Sequence, residues 1–480
     1  ESQNYLYLPR FYGIEKFGQP LKNFLSDGIP MNLTFTYSLL PHQIKAYNNT
    51  LNALRECGGG VLQIYCGGGK TALAIKIATD LQCKTLVVVN KECLMDQWAD
   101  SITKFTGGQA RIGTLQQSKI DVENKDFVIA MLHSLCKKDY PKQLFEGFGF
   151  CISDETHHLG SEMFSKALPK MASKYMLGLS ATPIRKDGLS HVFHKYLGNV
   201  CHSERRSGKN RVLIKRFKLN SNSPLYETLY MSNGIKNTVA MVSNIAKYDV
   251  RTVLIIEIIR IFRKQDRKIL LLSGRREHLE QIFNLLDQSN IENIHGRKIT
   301  FGYYRGGQGE NKKAHRKLLQ ESAKCDVVLG TYAISSEGLD IPDLNTEIMV
   351  TPVTDVEQSV GRILRKFHDK LNPLVIDLID SCGNFVKQAS VRAKFYKNEE
   401  YEIQDLKIPL GDKAIDLQPF LAEIYNYLIN TDFKHDKYNL DENEADTNIK
   451  FKKCLLSDDI ANKHKITLKH MSDNRTHTQH

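Results

Sequence analysis

Short apolar runs alternate with longer amphipathic stretches along two long regions of the chain. In the first, from Leu39 to about residue 200, the runs are Val61–Tyr65, Thr85–Val89, Phe127–Met131, Phe150–Ser153 and Met176–Leu179. In the second, from Lys268 onward, they are Ile269–Leu272, Thr300–Tyr303, Val327–Leu329, Thr346–Val350 and Leu374–Ile376. Each run is apolar or β-rich and is followed by a turn or helix signal, which reads as a buried strand. Strands of this kind, separated by helical stretches, predict an α/β fold whose parallel sheets are covered by helices on both faces. Between the regions, Val239, Val242, Ile245, Ile255, Ile258, Ile259 and Phe262 fall at helical spacing. The expected order is an N-terminal element (1–35), a first sheet domain (36–200), a basic connector with a helical insertion (201–265), a second sheet domain (266–405) and a partly flexible C-terminal extension (406–480).

Composition narrows the class. A chain of 480 residues exceeds one ordinary core, so two or three domains are expected. No apolar run reaches the roughly 18–20 residues of a membrane span, and Tyr5, Tyr7, Arg10 and Lys16 interrupt any signal-peptide core. Ten cysteines without a Cys-x-x-Cys pair read as a reduced, intracellular protein with no zinc framework. The net charge of +12 favours a polyanionic partner. That excess lies in the body, because residues 431–480 hold nine Lys/Arg and nine Asp/Glu.

The candidate chemistry begins at Gly67-Gly68-Gly69-Lys70-Thr71, which follows a strand and precedes an Ala/Ile-rich helix. Glycines let backbone N–H groups turn toward phosphate oxygens, and the helix brings its positive end to them. Lys70 would hold the β- and γ-phosphates of ATP, and Thr71 would ligate Mg²⁺. The usual spacing places a further glycine where this chain has Ile64. Asp154-Glu155 ends the apolar run Phe150-Cys151-Ile152; Asp154 would hold Mg²⁺ through water, and Glu155 would orient and deprotonate an attacking water. Exposed acids after a strand are the bland alternative, and the upstream Lys-Thr loop weighs against it. His157 and His158 lack further ligands for a metal site. In the second region, Gln358-Ser359-Val360-Gly361-Arg362-Ile363-Leu364-Arg365 puts Arg362 and Arg365 three apart on one helical face. Planar guanidinium groups stabilise charge on a transferring phosphoryl group, and Gln358 could orient water or phosphate.

These motifs together resemble a superfamily 2 DExH-box helicase motor, most closely its XPB-like branch and the helicases of large cytoplasmic DNA viruses, including the poxviral transcript-release type. The resemblance covers residues 35–400 and implies two tandem RecA-like domains, each contributing one wall of an ATP site. Leu40-Pro41-His42-Gln43 resembles the motif whose glutamine, Gln43, reads the adenine edge. Leu86–Trp98 resembles a motif that contacts the strand backbone, and Asp154–His157 the DExH box. Ser180-Ala181-Thr182-Pro183 resembles the coupling motif, so Ser180, Thr182 and Arg185 are implied at nucleic acid. In the second domain the resemblance implies Ser273, Arg275 and Thr331 at the strand backbone, and Gly338 and Asp340 at the nucleotide. Tyr303 and Tyr304 resemble part of a glycine-containing turn, with stacking and core packing both open. Arg185-Lys186-Asp187 departs from the family's Arg-Glu-Asp by a charge reversal, which questions a fork role while suiting phosphate binding.

The expected activity is therefore an ATP-dependent helicase or translocase moving 3′→5′ on DNA, single-stranded or forked, in viral transcription or genome processing. The alternative is a nucleic-acid-stimulated ATPase that remodels or releases a transcription complex without processive unwinding. A catalytically dead binding module is disfavoured by the presence of Lys70, Glu155, Arg362 and Arg365. DNA against RNA stays open at the level of residues, because 2′-hydroxyl contacts leave no motif. Transcription machinery is a candidate partner, no membrane is involved, a monomer is expected, and the host cytoplasm, with the virion as a further place, is the expected location.

Overall fold

The computed structural model describes residues 7–65, 67–155, 166–181, 190–204, 212–304, 312–333, 341–366, 368 and 371–430. The chain divides into two compact units, Glu1–Ser207 and Gly208–His480. The α/β reading holds, with one parallel-sheet unit after another.

The first unit is built on strands β1 (Gly59–Ile64), β2 (Thr85–Val89), β3 (Ile112–Gln116), β4 (Lys119–Asp121), β5 (Phe127–Met131), β6 (Phe150–Ser153), β7 (Tyr175–Ser180) and β8 (Val200–Glu204). Their order is β4-β3-β5-β2-β6-β7-β1-β8, parallel except for the short β3–β4 pair. β1, β2, β5 and β6 are buried along their whole length. Successive side chains on a strand point to opposite faces. Accordingly Val87 and Val89 join one apolar layer while Leu86 and Val88 join the other. Each fully buried aliphatic side chain contributes about 1.5–3 kcal/mol, so the runs that announce the strands also hold both helical layers.

The second unit contains β9 (Leu213–Ser221), β10 (Ile269–Ser273), β11 (Phe301–Tyr304), β12 (Val327–Thr331), β13 (Thr346–Met349), β14 (Leu374–Asp380) and β15 (Glu402–Leu410). Their order is β11-β12-β10-β13-β14-β9-β15, parallel throughout. Ile269 and Leu271 face one core; Leu270 and Leu272 face the other.

The basic stretch of the supposed connector does not stay a connector: Leu213–Ser221 is β9, paired with β14 and β15. Lys215 is fully buried, and its Nζ donates to the carbonyls of Tyr427 and Asn430. Two helices, Thr238–Ala246 and Asp249–Lys264, follow and pack into the core of this second unit. The second helix is buried almost all round because it sits between sheet and outer layer, and it has Asp249 in its first turn and Arg263 and Lys264 in its last, matching its dipole. Order also continues past the expected fade: β15 runs to Leu410 and a helix spans Leu421–Ile429. Among the described residues no helix is long and apolar enough to cross a membrane.

Candidate nucleotide site

The glycine loop joins the end of β1 to the helix Lys70–Leu81. Gly67 and Gly69 have φ of 86° and 87°, left-handed values that favour glycine. At Gly68 the constraint is space: a Cβ there would lie 2.2 Å from the Cγ2 of Ile64. Ile64, the departure from the usual glycine spacing, thus packs directly on the loop. A Cβ at Gly69 would meet the Nε2 of Gln43 at 2.1 Å. Gln43 is buried; its Nε2 donates to the Gly68 carbonyl at 3.2 Å and its Oε1 accepts from the Leu40 N–H at 3.0 Å. The glutamine therefore braces the loop, and both ends of its amide are engaged. Lys70 Nζ donates to the Ile64 carbonyl at 3.0 Å, and Thr71 is half-buried one residue into the helix.

β6 delivers the acid pair. The Asp154 N–H donates to the Val88 carbonyl at 3.0 Å, which fixes the chain as it leaves the sheet. Asp154 Oδ1 accepts from the Glu155 N–H at 2.9 Å, and Oδ2 accepts from the indole N–H of Trp98 at 2.8 Å. Burial, and then the neighbouring Glu155, push the Asp154 carboxyl up to about 6, while Trp98 and Lys70 oppose the rise. Glu155 holds φ of 48°, an uncommon value for a residue with a Cβ. Ser180 ends β7, the strand lying between β6 and β1 in the sheet. The ligand-binding end of an open parallel sheet is where its strands terminate; glycine loop, Ser180 and acid pair all stand there.

Trp98, the last residue of the stretch Leu86–Trp98, is a support of the site that no motif marks by itself. It lies on the helix Glu92–Phe105, is 1% exposed, and its indole N–H holds the Asp154 carboxylate. It is the only tryptophan in the chain; its helical spacing with Leu94, Met95 and Ile102 marks a buried face, and nothing local marks the indole's acceptor.

The second unit presents the arginines on one short segment. The helix Glu357–Val360 is a single turn and continues as a 3₁₀ turn over Gly361–Leu364. Residues i and i+3 eclipse in that geometry, so Arg362 and Arg365 keep a shared face with Gln358 one turn before. Arg362 is buried; Gln358 and Arg365 are half-buried. The approach to this segment is braced by two buried ion pairs. Arg251 bonds Asp380 at 2.8 and 3.0 Å and donates to the Val350 carbonyl at 2.6 Å. Arg392 bonds Asp377 at 3.0 and 2.7 Å and donates to the Val353 carbonyl. Thr351, between them, accepts from the Gly274 N–H at 2.6 Å through its hydroxyl and from the Tyr332 hydroxyl at 2.6 Å through its carbonyl.

Ser273 and Thr331 end adjacent strands in register. Ser273 is fully buried, and its hydroxyl spans His278 Nδ1 at 3.3 Å and the Arg275 N–H at 3.1 Å. Arg275 reaches Ser243 Oγ at 3.0 Å and the Val239 carbonyl at 2.8 Å, remaining partly exposed. Tyr303 stacks on Phe283 at 4.6 Å, so it packs within its unit. Thr182, Arg185, Gly338, Asp340, His157 and His158 lie outside the described residues.

The residues of the first unit fit a magnesium-bound triphosphate. The glycine cradle has no room for side chains at Gly68 and Gly69, a hydroxyl and a carboxylate supply hard oxygen donors, and the raised Asp154 carboxyl is a group that a cation would favour as carboxylate.

Comparisons with known proteins give the family. Residues 36–185 match the family described as type III restriction enzyme, res subunit, and residues 247–367 match the helicase conserved C-terminal domain. A protein of Acanthamoeba polyphaga mimivirus, provisionally named an ATP-dependent RNA helicase, is 36% identical over 410 residues, covering 84% of this chain and 76% of its own. The chain belongs to the superfamily 2 helicases, a family of ATP-hydrolysing enzymes. This helicase is also 26% identical over 395 residues to a protein of Invertebrate iridescent virus 6 provisionally named a helicase, covering 78% of this chain and 84% of that one. Its fold is similar to that of Dbp5 from S. cerevisiae bound to RNA and ADP BeF3, with a TM-score of 0.53 and 12% identity over 82% of this chain and 98% of the other.

Proposed function

We propose that this helicase couples ATP hydrolysis to 3′→5′ movement along DNA, as an XPB-like motor of the kind found in large cytoplasmic DNA viruses. The observation that carries the reading is the grouping of the Gln43-braced glycine loop, Lys70 and the Trp98-bound Asp154 at one end of one parallel sheet. Lys70 would hold the β- and γ-phosphates, and Glu155 would take the proton of the attacking water. Magnesium, held by Thr71 and through water by Asp154, would offset phosphate charge. Arg362 and Arg365 would stabilise the charge on the transferring phosphoryl group, and their segment needs bracing because a guanidinium works there only when positioned. The grip on the strand would come mainly from phosphate contacts, so affinity would fall steeply with salt. A setting in viral transcription or genome processing in the host cytoplasm rests on the viral origin of the relatives.

The name of the mimivirus relative favours a second reading, in which the track is RNA. ATPase activity measured in parallel with single-stranded DNA, duplex DNA and RNA, beside strand displacement, separates the two. Lys70→Ala and Glu155→Gln are each expected to abolish turnover. Wild-type turnover in either variant would remove the site assignment.

A further inference from the structure

The second unit carries a groove of about 800 Å³ between the helix Phe385–Asn398 and the end of its sheet at β14, β9 and β15. Arg216, Lys218, Lys394, Lys397 and Lys407 line it, and Val386, Ala389, Ala393 and Ile408 contribute apolar floor. Asp405 is paired with Arg216 at 2.6 Å and with Lys218 at 2.5 Å. No carboxylate among the described residues pairs with Lys394, Lys397 or Lys407, and all three are exposed. Three uncompensated ammonium groups around an apolar floor call for an occupant that is acidic and partly apolar.

We propose that the occupant is this chain's own segment 438–446. Tyr438-Asn439-Leu440-Asp441-Glu442-Asn443-Glu444-Ala445-Asp446 holds four acids and no base, with Tyr438, Leu440 and Ala445 interspersed. Lysines and arginines are interleaved through the rest of residues 431–480. The starting point is close: the described chain ends at Asn430, whose carbonyl accepts from Lys215 on β9. Arg216, the next residue, points to the opposite face and lines the groove. Among the described strands, β15 alone lies between β9 and the sheet edge. Eight residues, 431–438, span up to about 26–29 Å when extended, whereas rounding one edge strand crosses about 5 Å in the sheet plane and about 10 Å from layer to layer. Nucleic acid fits the groove less well. A phosphate backbone has no apolar surface to bury on this floor, and no aromatic side chain lines the groove to stack a base.

Hydrogen–deuterium exchange on the full chain at low and high salt tests the docking. At low salt, amides of 438–446 are expected to exchange at least about tenfold more slowly than in a variant carrying K394E, K397E and K407E, and high salt removes the difference. Reversing the acids instead, with D441K, E442K, E444K and D446K, gives the same loss of protection at Val386–Ala393. These changes lie beyond the last described helix, so a folding defect in the groove variant does not blunt the test. Combining both sets restores protection. Unprotected amides in the wild type at low salt would overturn the proposal, as would protection indifferent to the groove charges. A single-stranded DNA oligomer protecting the groove of the acid-reversed chain, in a manner lost on reversing the lysines, would make it a phosphate site and equally overturn it.

Discussion

The two units position their chemistry by different physical means. In the first, main chain does the positioning: a loop with no room for Cβ atoms, a glutamine amide on a loop carbonyl, and strand ends that present Ser180 and the acid pair. In the second, the groups proposed to act are two long side chains on a one-turn helix and its 3₁₀ extension, and buried ion pairs hold the approach to it at Val350 and Val353. The proposed ligand accounts for the difference. Phosphate oxygens are met by backbone N–H groups, which a turn can aim unaided. A guanidinium at the end of a flexible stem carries about 2 kcal/mol of rotamer entropy, so a site that depends on one gains by fixing the backbone beneath it.

The strongest way to break this contrast is to remove the arginine. Arg362→Ala is expected to lower the turnover number for ATP by about 10³-fold or more, the range of arginine-finger removal, with little change in nucleotide affinity. Steady-state ATPase kinetics beside equilibrium binding of a fluorescent ATP analogue measure both. A loss confined to KM would put Arg362 in ground-state binding and remove the distinction between the two units.

A second test removes a brace. Asp377→Asn leaves Arg392 buried with an unpaired charge, and breaking one side of such a pair costs about 3–5 kcal/mol. Both partners are 2% or less exposed, so water does not stand in for the lost carboxylate. Urea unfolding should show that loss in the second unit's transition. Replacing Asp377 and Arg392 together by apolar residues of similar volume should cost less than D377N alone. A D377N chain as stable as wild type would mean that the segment is held by something other than these pairs.

How legible each unit was in the sequence follows from the same contrast. The central strands announce themselves because parallel strands buried on both faces must be continuously apolar, and Thr85–Val89, Phe127–Met131 and Phe150–Ser153 fall where the pattern puts them. β9 and β15 escaped because charged residues interrupt them: Lys215, Arg216 and Lys218 on one, Asp405 and Lys407 on the other. β15 is an edge strand, where charges on the outer face are ordinary, while Lys215 is buried only because the carbonyls of Tyr427 and Asn430, more than two hundred residues away, accept from it. The glycine loop and acid pair were readable as motifs. Their supports were not, since Trp98 to Asp154 and Arg392 to Val353 are partnerships between distant residues with no local spacing.

A third test sharpens the main-chain side. Trp98→Phe keeps the buried ring and removes one hydrogen bond to Asp154, a change of about 1–3 kcal/mol for a charged acceptor. Its donor lowers the Asp154 carboxyl toward the ordinary range, so without it the carboxyl rises further and the carboxylate form becomes scarcer. The magnesium concentration for half-maximal ATPase should increase about tenfold, with the melting temperature lowered by a few degrees. As the sole tryptophan, Trp98 also reports the site directly: wild-type emission should change when magnesium and nucleotide are added. Unchanged magnesium dependence in W98F would reduce the indole to packing.

A fourth test concerns Glu347, on β13 at the base of the braced segment. It is fully buried, and burial, with the Asp377 charge adding to it, pushes its carboxyl up to about 8. In the unfolded chain the same group ionises near the ordinary glutamate value of about 4.3. Below that value both states are protonated and the group has no pH-dependent effect. Between there and about 8 the unfolded chain has lost a proton that the folded chain retains, so each rise in pH favours unfolding; above about 8 both are ionised and the penalty levels off. Glu347→Gln removes the titration while keeping shape and polarity. Its stability relative to wild type should therefore climb as pH rises from 5 to 8 and then plateau, read as a widening gap in urea midpoints for the second unit. A gap that stays constant across that range would mean the carboxyl is already ionised in the fold, and that the floor beneath the arginine segment carries a negative charge.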